Sequence, residues 1–63
     1  MRIDVQRALA QLPEHFRTTL VLKDVGGLSL GEVAEKMGVP QTTVANWVAR
    51  ARRKMRELLA AAP

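Results

Sequence analysis

Apolar residues recur along this chain at helical spacing, most clearly in its last third. At roughly 100° per residue, Val44, Trp47, Val48, Ala51, Met55, Leu58 and Leu59 share one arc about 120° wide. Thr42, Asn46, Ala49, Arg50, Arg53 and Arg56 fall on the opposite arc. The pattern predicts a helix over residues 41–60 with one face to bury and one to expose. The outward face begins small and polar and ends basic. Pro40 opens this helix where a missing N–H costs nothing. The tail from residue 60 to 63, Ala-Ala-Ala-Pro, is expected to fray.

Three shorter helices are predicted upstream. The first covers residues 3–11, with Ile3, Ala8, Leu9 and Leu12 on its apolar side and Asp4 placed to favour its N-terminus. Pro13 cannot continue it but suits the first turn of another. The second covers residues 14–25, with Phe16, Leu20 and either Val21 or Leu22 facing in, and Gly26-Gly27 ends it. Ser29-Leu30-Gly31-Glu32 has the S-x-x-E form of a capping box, so the third helix starts just after Ser29 and runs over 30–37. Gly38 can take the left-handed conformation that stops it. Alternating strand patterns are missing, and the expected fold is all-α: one four-helix domain spanning residues 1–63.

Between the third and fourth helices, Ala34 precedes Gly38 by four residues, a spacing that lets two helices cross closely. Val33, Met37, Val39, Val44 and Trp47 supply apolar groups on both sides of the turn. This is the sequence form of a helix-turn-helix with a long C-terminal recognition helix, the element that enters the DNA major groove.

Charge sharpens that expectation. Of 63 residues, 48% are hydrophobic and 25% charged, which fits a folded globule. Residues 1–49 carry five basic and five acidic groups, which cancel; Arg50, Arg52, Arg53, Lys54 and Arg56 face only Glu57, so the net +4 sits on one stretch of helix. A localised basic stripe is the footprint of a polyanion binder, although charge runs are also solvated helix faces. There are no cysteines and one histidine, His15, so thiolate and clustered metal sites are excluded and no cofactor is expected. No nucleophile–base pair, carboxylate pair or phosphate loop suggests an enzyme or a small-molecule substrate. No apolar run approaches the ~20 residues of a membrane span, and a cytoplasmic, nucleoid-associated monomer is expected.

On the outward arc, Gln41, Thr42, Ala45, Asn46, Ala49 and Arg50 are the candidate base-reading residues. Asn and Gln pair bidentately with adenine, Thr and Ala methyls meet a thymine methyl, and arginine takes guanine. Gln41 and Thr42 also suit a capping role. Ser29, Thr43, Arg53, Lys54 and Arg56 are the candidate phosphate contacts, which orient without reading sequence; the third helix offers amides near Ser29 and Leu30 to a phosphate. Arg52 lies nearer the core edge, with its stem over apolar surface. Trp47 and Phe16 are assigned to the core and His15 to solvent.

The stretch from Ala8 to Leu59 resembles region four of extracytoplasmic-function bacterial sigma factors, the domain that reads the promoter −35 element. The resemblance rests on ALAQLPEHFRTTLVLKDVGGLSLGEVAEKMGVP, on Thr43-Val44 and on ARARRKMRELL, about four-fifths of the chain. It implies a four-helix domain and contacts with promoter DNA, RNA polymerase and anti-sigma proteins. The recognition helix is divergent: where the family usually has Lys or Arg, Ser and Arg, this chain has Ala45, Asn46 and Trp47. QTTVANW looks more like the recognition helix of phage-repressor-type domains. The departure bears on the target sequence and leaves the docking mode intact. The family's region two is absent from this sequence, which is then either an excised domain or a stand-alone, engineered reader. The alternative function is a protein-interaction module that binds RNA polymerase or an anti-sigma protein.

Overall fold

The computed structural model describes residues 4–60. Ile3 and the tail at 61–63, both part of the expectations above, lie outside the described residues. The elements are α1 (Asp4–Gln11), α2 (Glu14–Leu20), a π-helical turn (Val21–Val25), α3 (Leu30–Met37) and α4 (Gln41–Ala60). The fold is all-α, and α4 packs against each of the other three helices.

Each boundary has a local cause. The carbonyl of Pro13 accepts from the Arg17 amide at 3.0 Å, so Pro13 caps α2 without needing an N–H of its own. Arg17 also returns to the preceding helix: its Nη1 donates to the Leu12 carbonyl at 3.1 Å and the Ala10 carbonyl at 3.4 Å. Those carbonyls lie at a helix end that lacks intrahelical donors. At α3 the capping box is complete, with the Glu32 amide on Ser29 Oγ at 3.1 Å and the Ser29 amide on Glu32 Oε1 at 2.8 Å. Gly38 ends α3 at φ 70°, ψ 33°, and its amide reaches the Ala34 carbonyl at 2.8 Å. The Pro40 carbonyl then accepts from Thr43 and Val44 to start α4.

The expected helix over 14–25 differs in its last turn. The Gly26 amide bonds to the carbonyl of Val21, five residues back, at 2.9 Å, which widens the turn into a π-helix. A Cβ at Gly26 would stand 2.7 Å from the Leu22 carbonyl oxygen, so glycine is required for the wide turn to close. Both residues left open as inward-facing, Val21 and Leu22, are half-buried.

The core has two clusters strung along α4. Around the tight turn, Val33, Ala34, Val44 and Val48 are buried, with Leu22, Leu28, Leu30, Met37 and Val39 packed against them. Toward the other end, Leu12, Leu20 and Ala51 are buried, with Leu9, Phe16, Met55 and Leu58 around them. Thr19 is fully buried; its hydroxyl donates to the His15 carbonyl at 2.7 Å and lies 3.1 Å from the Met37 sulfur. The buried hydroxyl is thus satisfied within its own helix, which removes its desolvation cost.

Two inward assignments are corrected. Trp47 is half-buried and belongs to neither cluster, because it sits at the edge of the apolar arc beside the start of α2. Leu59 is 37% exposed: Leu58 reaches the second cluster, and the next residue, about 100° round the helix, does not.

Candidate nucleic-acid interface

The burial of α4 fixes what it can present. Val44 and Ala51 are fully buried and Val48 nearly so, which turns the opposite side of the helix to solvent. Gln41, Thr42, Ala45, Asn46, Ala49, Arg50, Arg53, Lys54 and Arg56 are all exposed. Thr43 is half-buried, so only part of its side chain is available to a phosphate. Asn46, Ala49, Arg50, Arg53 and Arg56 line one open hollow of about 360 Å³. Ala49 is the one small side chain in that lining; the others carry an amide or a guanidinium group.

The N-terminus of α3 lies beside that of α4. A Cβ at Gly31 would come within 3.5 Å of Gln41 Oε1 and 3.9 Å of Ser29 Oγ, so the three residues occupy one patch. Ser29 is more committed than expected. Its amide is taken by Glu32, and its hydroxyl accepts from the Glu32 amide, so it has no free amide for a phosphate. The Ser29 N–H bond, ahead of its hydroxyl contact, holds the Glu32 carboxyl below its usual range.

Four side chains outside the expected set, Arg52, Asp24, His15 and Trp47, shape the surface. Arg52 donates from Nε and Nη2 to the two carboxylate oxygens of Asp24, at 3.3 and 2.5 Å. It therefore ties α4 to the π turn rather than only covering apolar surface. The bond to Asp24 raises the guanidinium above its ordinary range. His15 is exposed, as expected, yet its ring meets Trp47 edge-on, centroids 4.8 Å apart, and Phe16 at 4.5 Å. A small aromatic ledge thus flanks α4 on the side of α2. Asp24 and Arg52 lie 28 residues apart, and no local pattern couples them. For His15 and Trp47 the one signal was the position of Trp47 at the margin of the apolar arc.

Among the described residues, no group of three His, Cys, Asp or Glu side chains is placed to hold a metal ion. No helix among them is long and apolar enough to cross a membrane.

Residues 2–55 match the family model for sigma-70, region 4. Three relatives align along most of the chain. The ECF RNA polymerase sigma factor SigE of Mycolicibacterium smegmatis is 42% identical over 57 residues, 90% of this chain and 22% of the relative. The ECF sigma factor SigM of Mycobacterium tuberculosis is also 42% identical, over 90% of this chain and 29% of its own length. SigW of Bacillus subtilis, another ECF sigma factor, is 36% identical over 55 residues, covering 87% of this chain and 29% of the relative. The chain therefore spans roughly a quarter of the length of these curated relatives.

Proposed function

We propose a function from one premise: this chain belongs to the sigma-70 region 4 family, in its extracytoplasmic-function branch. The domain is a sequence-specific reader of double-stranded DNA. It docks α4 in the major groove, N-terminal end first. Gln41, Thr42, Ala45, Asn46, Ala49 and Arg50 face base edges, while Arg53, Lys54 and Arg56 hold phosphates farther along. Thr43 and the start of α3 near Ser29 approach the backbone at the close end. Within a promoter, its target is the −35 element or a variant of it, since Ala45, Asn46 and Trp47 replace the family's usual cation, serine and cation. The domain acts in the cytoplasm on nucleoid DNA, as a monomer, and catalyses nothing.

The observation that carries this proposal is the division of α4: Val44, Val48 and Ala51 buried, and the amide-to-arginine face exposed opposite them. Selection of duplexes from a random pool at moderate salt tests it. The expected result is one preferred motif, bound with a log–log salt slope near −4 for four or five phosphate contacts. A pool that stays random after several rounds would overturn the proposal.

A second activity has its own support. Val5, Leu9, Leu20, Val21, Val25 and Met55, together with Asp24, line a mostly apolar hollow of about 170 Å³ between α1, the end of α2, the π turn and α4. Val25 is 78% exposed and Val5 49% exposed on its rim. Bare aliphatic side chains around a concavity suit a protein contact, here with RNA polymerase or an anti-sigma protein. Val25→Asn, which adds polarity without charge beside Asp24, is expected to weaken capture of RNA polymerase while leaving duplex binding unchanged. Loss of both activities together, or of neither, would contradict the assignment.

A further inference from the structure

Five cations lie between Arg50 and Arg56, and among the described residues only Arg52 has an acidic partner. Asp24 covers the Nε and Nη2 edge of that guanidinium. Arg52 also lines an open hollow of about 240 Å³ with Lys23, Leu30, Ala45, Val48 and Ala49. Ala45 and Ala49 belong to the face proposed to enter the groove, and Leu30 begins α3, the helix that crosses the backbone in this motif. A duplex seated on α4 would therefore pass its phosphates close to Arg52. The pair is accessible, with side chains 49% and 41% exposed, so a phosphate can compete with Asp24 for the guanidinium.

A carboxylate at this place has two effects of the same sign. It neutralises a cation within reach of the DNA backbone, and it repels the phosphates directly. We propose that Asp24 is an electrostatic brake on duplex binding: it withholds Arg52 from phosphate and lowers affinity for DNA of every sequence. Discrimination is then left to the base-facing residues in the first half of α4. The brake acts on the DNA-binding face proposed above and rests on that function. A purely structural tie between the π turn and α4 would affect folding alone.

The two roles separate in a charge cycle on the full 63-residue chain, read by anisotropy with a labelled duplex of arbitrary sequence across a salt series. Asp24→Asn is expected to raise affinity roughly fivefold to tenfold at about 0.1 M salt and to steepen the log–log slope by about 0.9, one added phosphate contact. Arg52→Gln bares the carboxylate and is expected to weaken binding by about as much. The double variant removes both charges and is expected to return to within about twofold of wild type, because the two effects cancel. Asp24→Glu keeps the charge in a longer side chain and is expected to stay within about twofold as well. Unchanged or weaker binding by Asp24→Asn with its helical circular dichroism intact would overturn the brake, as would a gain in Asp24→Glu equal to that in Asp24→Asn. Should Asp24→Asn lose its fold, Arg52→Gln decides, and unchanged affinity there overturns the proposal. If the wild-type chain binds no duplex, the DNA-binding function falls and the brake with it; if it binds and all four variants match it, only the brake falls.

Discussion

The two halves of α4 bury similar side chains and expose different ones. From Gln41 to Val48 the helix packs Val44 and Val48 into the cluster around the tight turn. Its outer side there is small and polar: Gln41, Thr42, Ala45 and Asn46, all exposed. From Ala51 onward it packs Ala51, Met55 and Leu58 against α1 and α2, and its outer side is Arg53, Lys54 and Arg56. A short side chain near a base edge can discriminate, because a mispaired donor or acceptor is left unsatisfied. A long cation over a phosphate attracts every sequence alike. One rigid helix can therefore read at one end and hold at the other, provided both clusters keep the same face turned inward.

The strongest way to break this division is to attack its inner side. Val44→Asp would place a carboxylate at a fully buried position. The penalty, several kcal/mol without a partner, is comparable with the ~5 kcal/mol stability of a small domain. The helical circular dichroism at 25 °C is expected to collapse, together with DNA binding. Leu59→Asp, on the same helix but exposed, is expected to shift stability by less than about 0.5 kcal/mol.

A smaller effect is expected at the turn between α3 and α4. Gly38→Ala forces an L side chain into the left-handed region at φ 70°, at about 1–2 kcal/mol. Open space surrounds the added methyl, so the fold should survive with a lower Tm and an unchanged sequence preference. A changed preference would show that the turn helps to aim α4. Smaller still is Ser29→Ala, which removes the α3 cap at about 1 kcal/mol and should act on stability more than on DNA affinity.

The weakest expected effect is in the pH dependence of that cap. The Ser29 amide bond depresses the Glu32 carboxyl in the folded state. Its stabilisation is therefore present above the unfolded pKa and is lost as the pH falls through the lower folded value. Thermal melts of wild type and Glu32→Gln should differ at neutral pH. They should converge only once the pH has fallen through the depressed folded value, which lies below the ordinary carboxylate range. A difference that persists in strong acid would mean that the Glu32 charge is not what stabilises the cap.

These expectations also mark what local sequence can carry. The capping box at Ser29 and Glu32 and the stop at Gly38 depend on residues a few positions apart, and both formed where the pattern placed them. The inner side of α4 followed from helical periodicity, because Val44, Val48 and Ala51 lie at the centre of the apolar arc. Periodicity is weakest at the margins of an arc, where Trp47 is only half-buried outside both clusters and Leu59 is exposed. The π turn was hidden because an i−5 bond needs no special composition until the glycine that closes it is seen against Leu22. The Asp24–Arg52 pair was hidden because only the folded chain brings those residues together.

The division of labour along α4 is tested most directly by repeating the duplex selection with Asn46→Ala and Arg53→Ala beside the wild type. Asn46→Ala is expected to lose preference at one base pair, by about 1–3 kcal/mol, with its salt slope unchanged. Arg53→Ala is expected to keep the wild-type motif, to bind all duplexes more weakly, and to lose about 0.9 from the slope. If both variants flattened the motif, or both weakened all duplexes equally, reading and holding would not be separated along this helix.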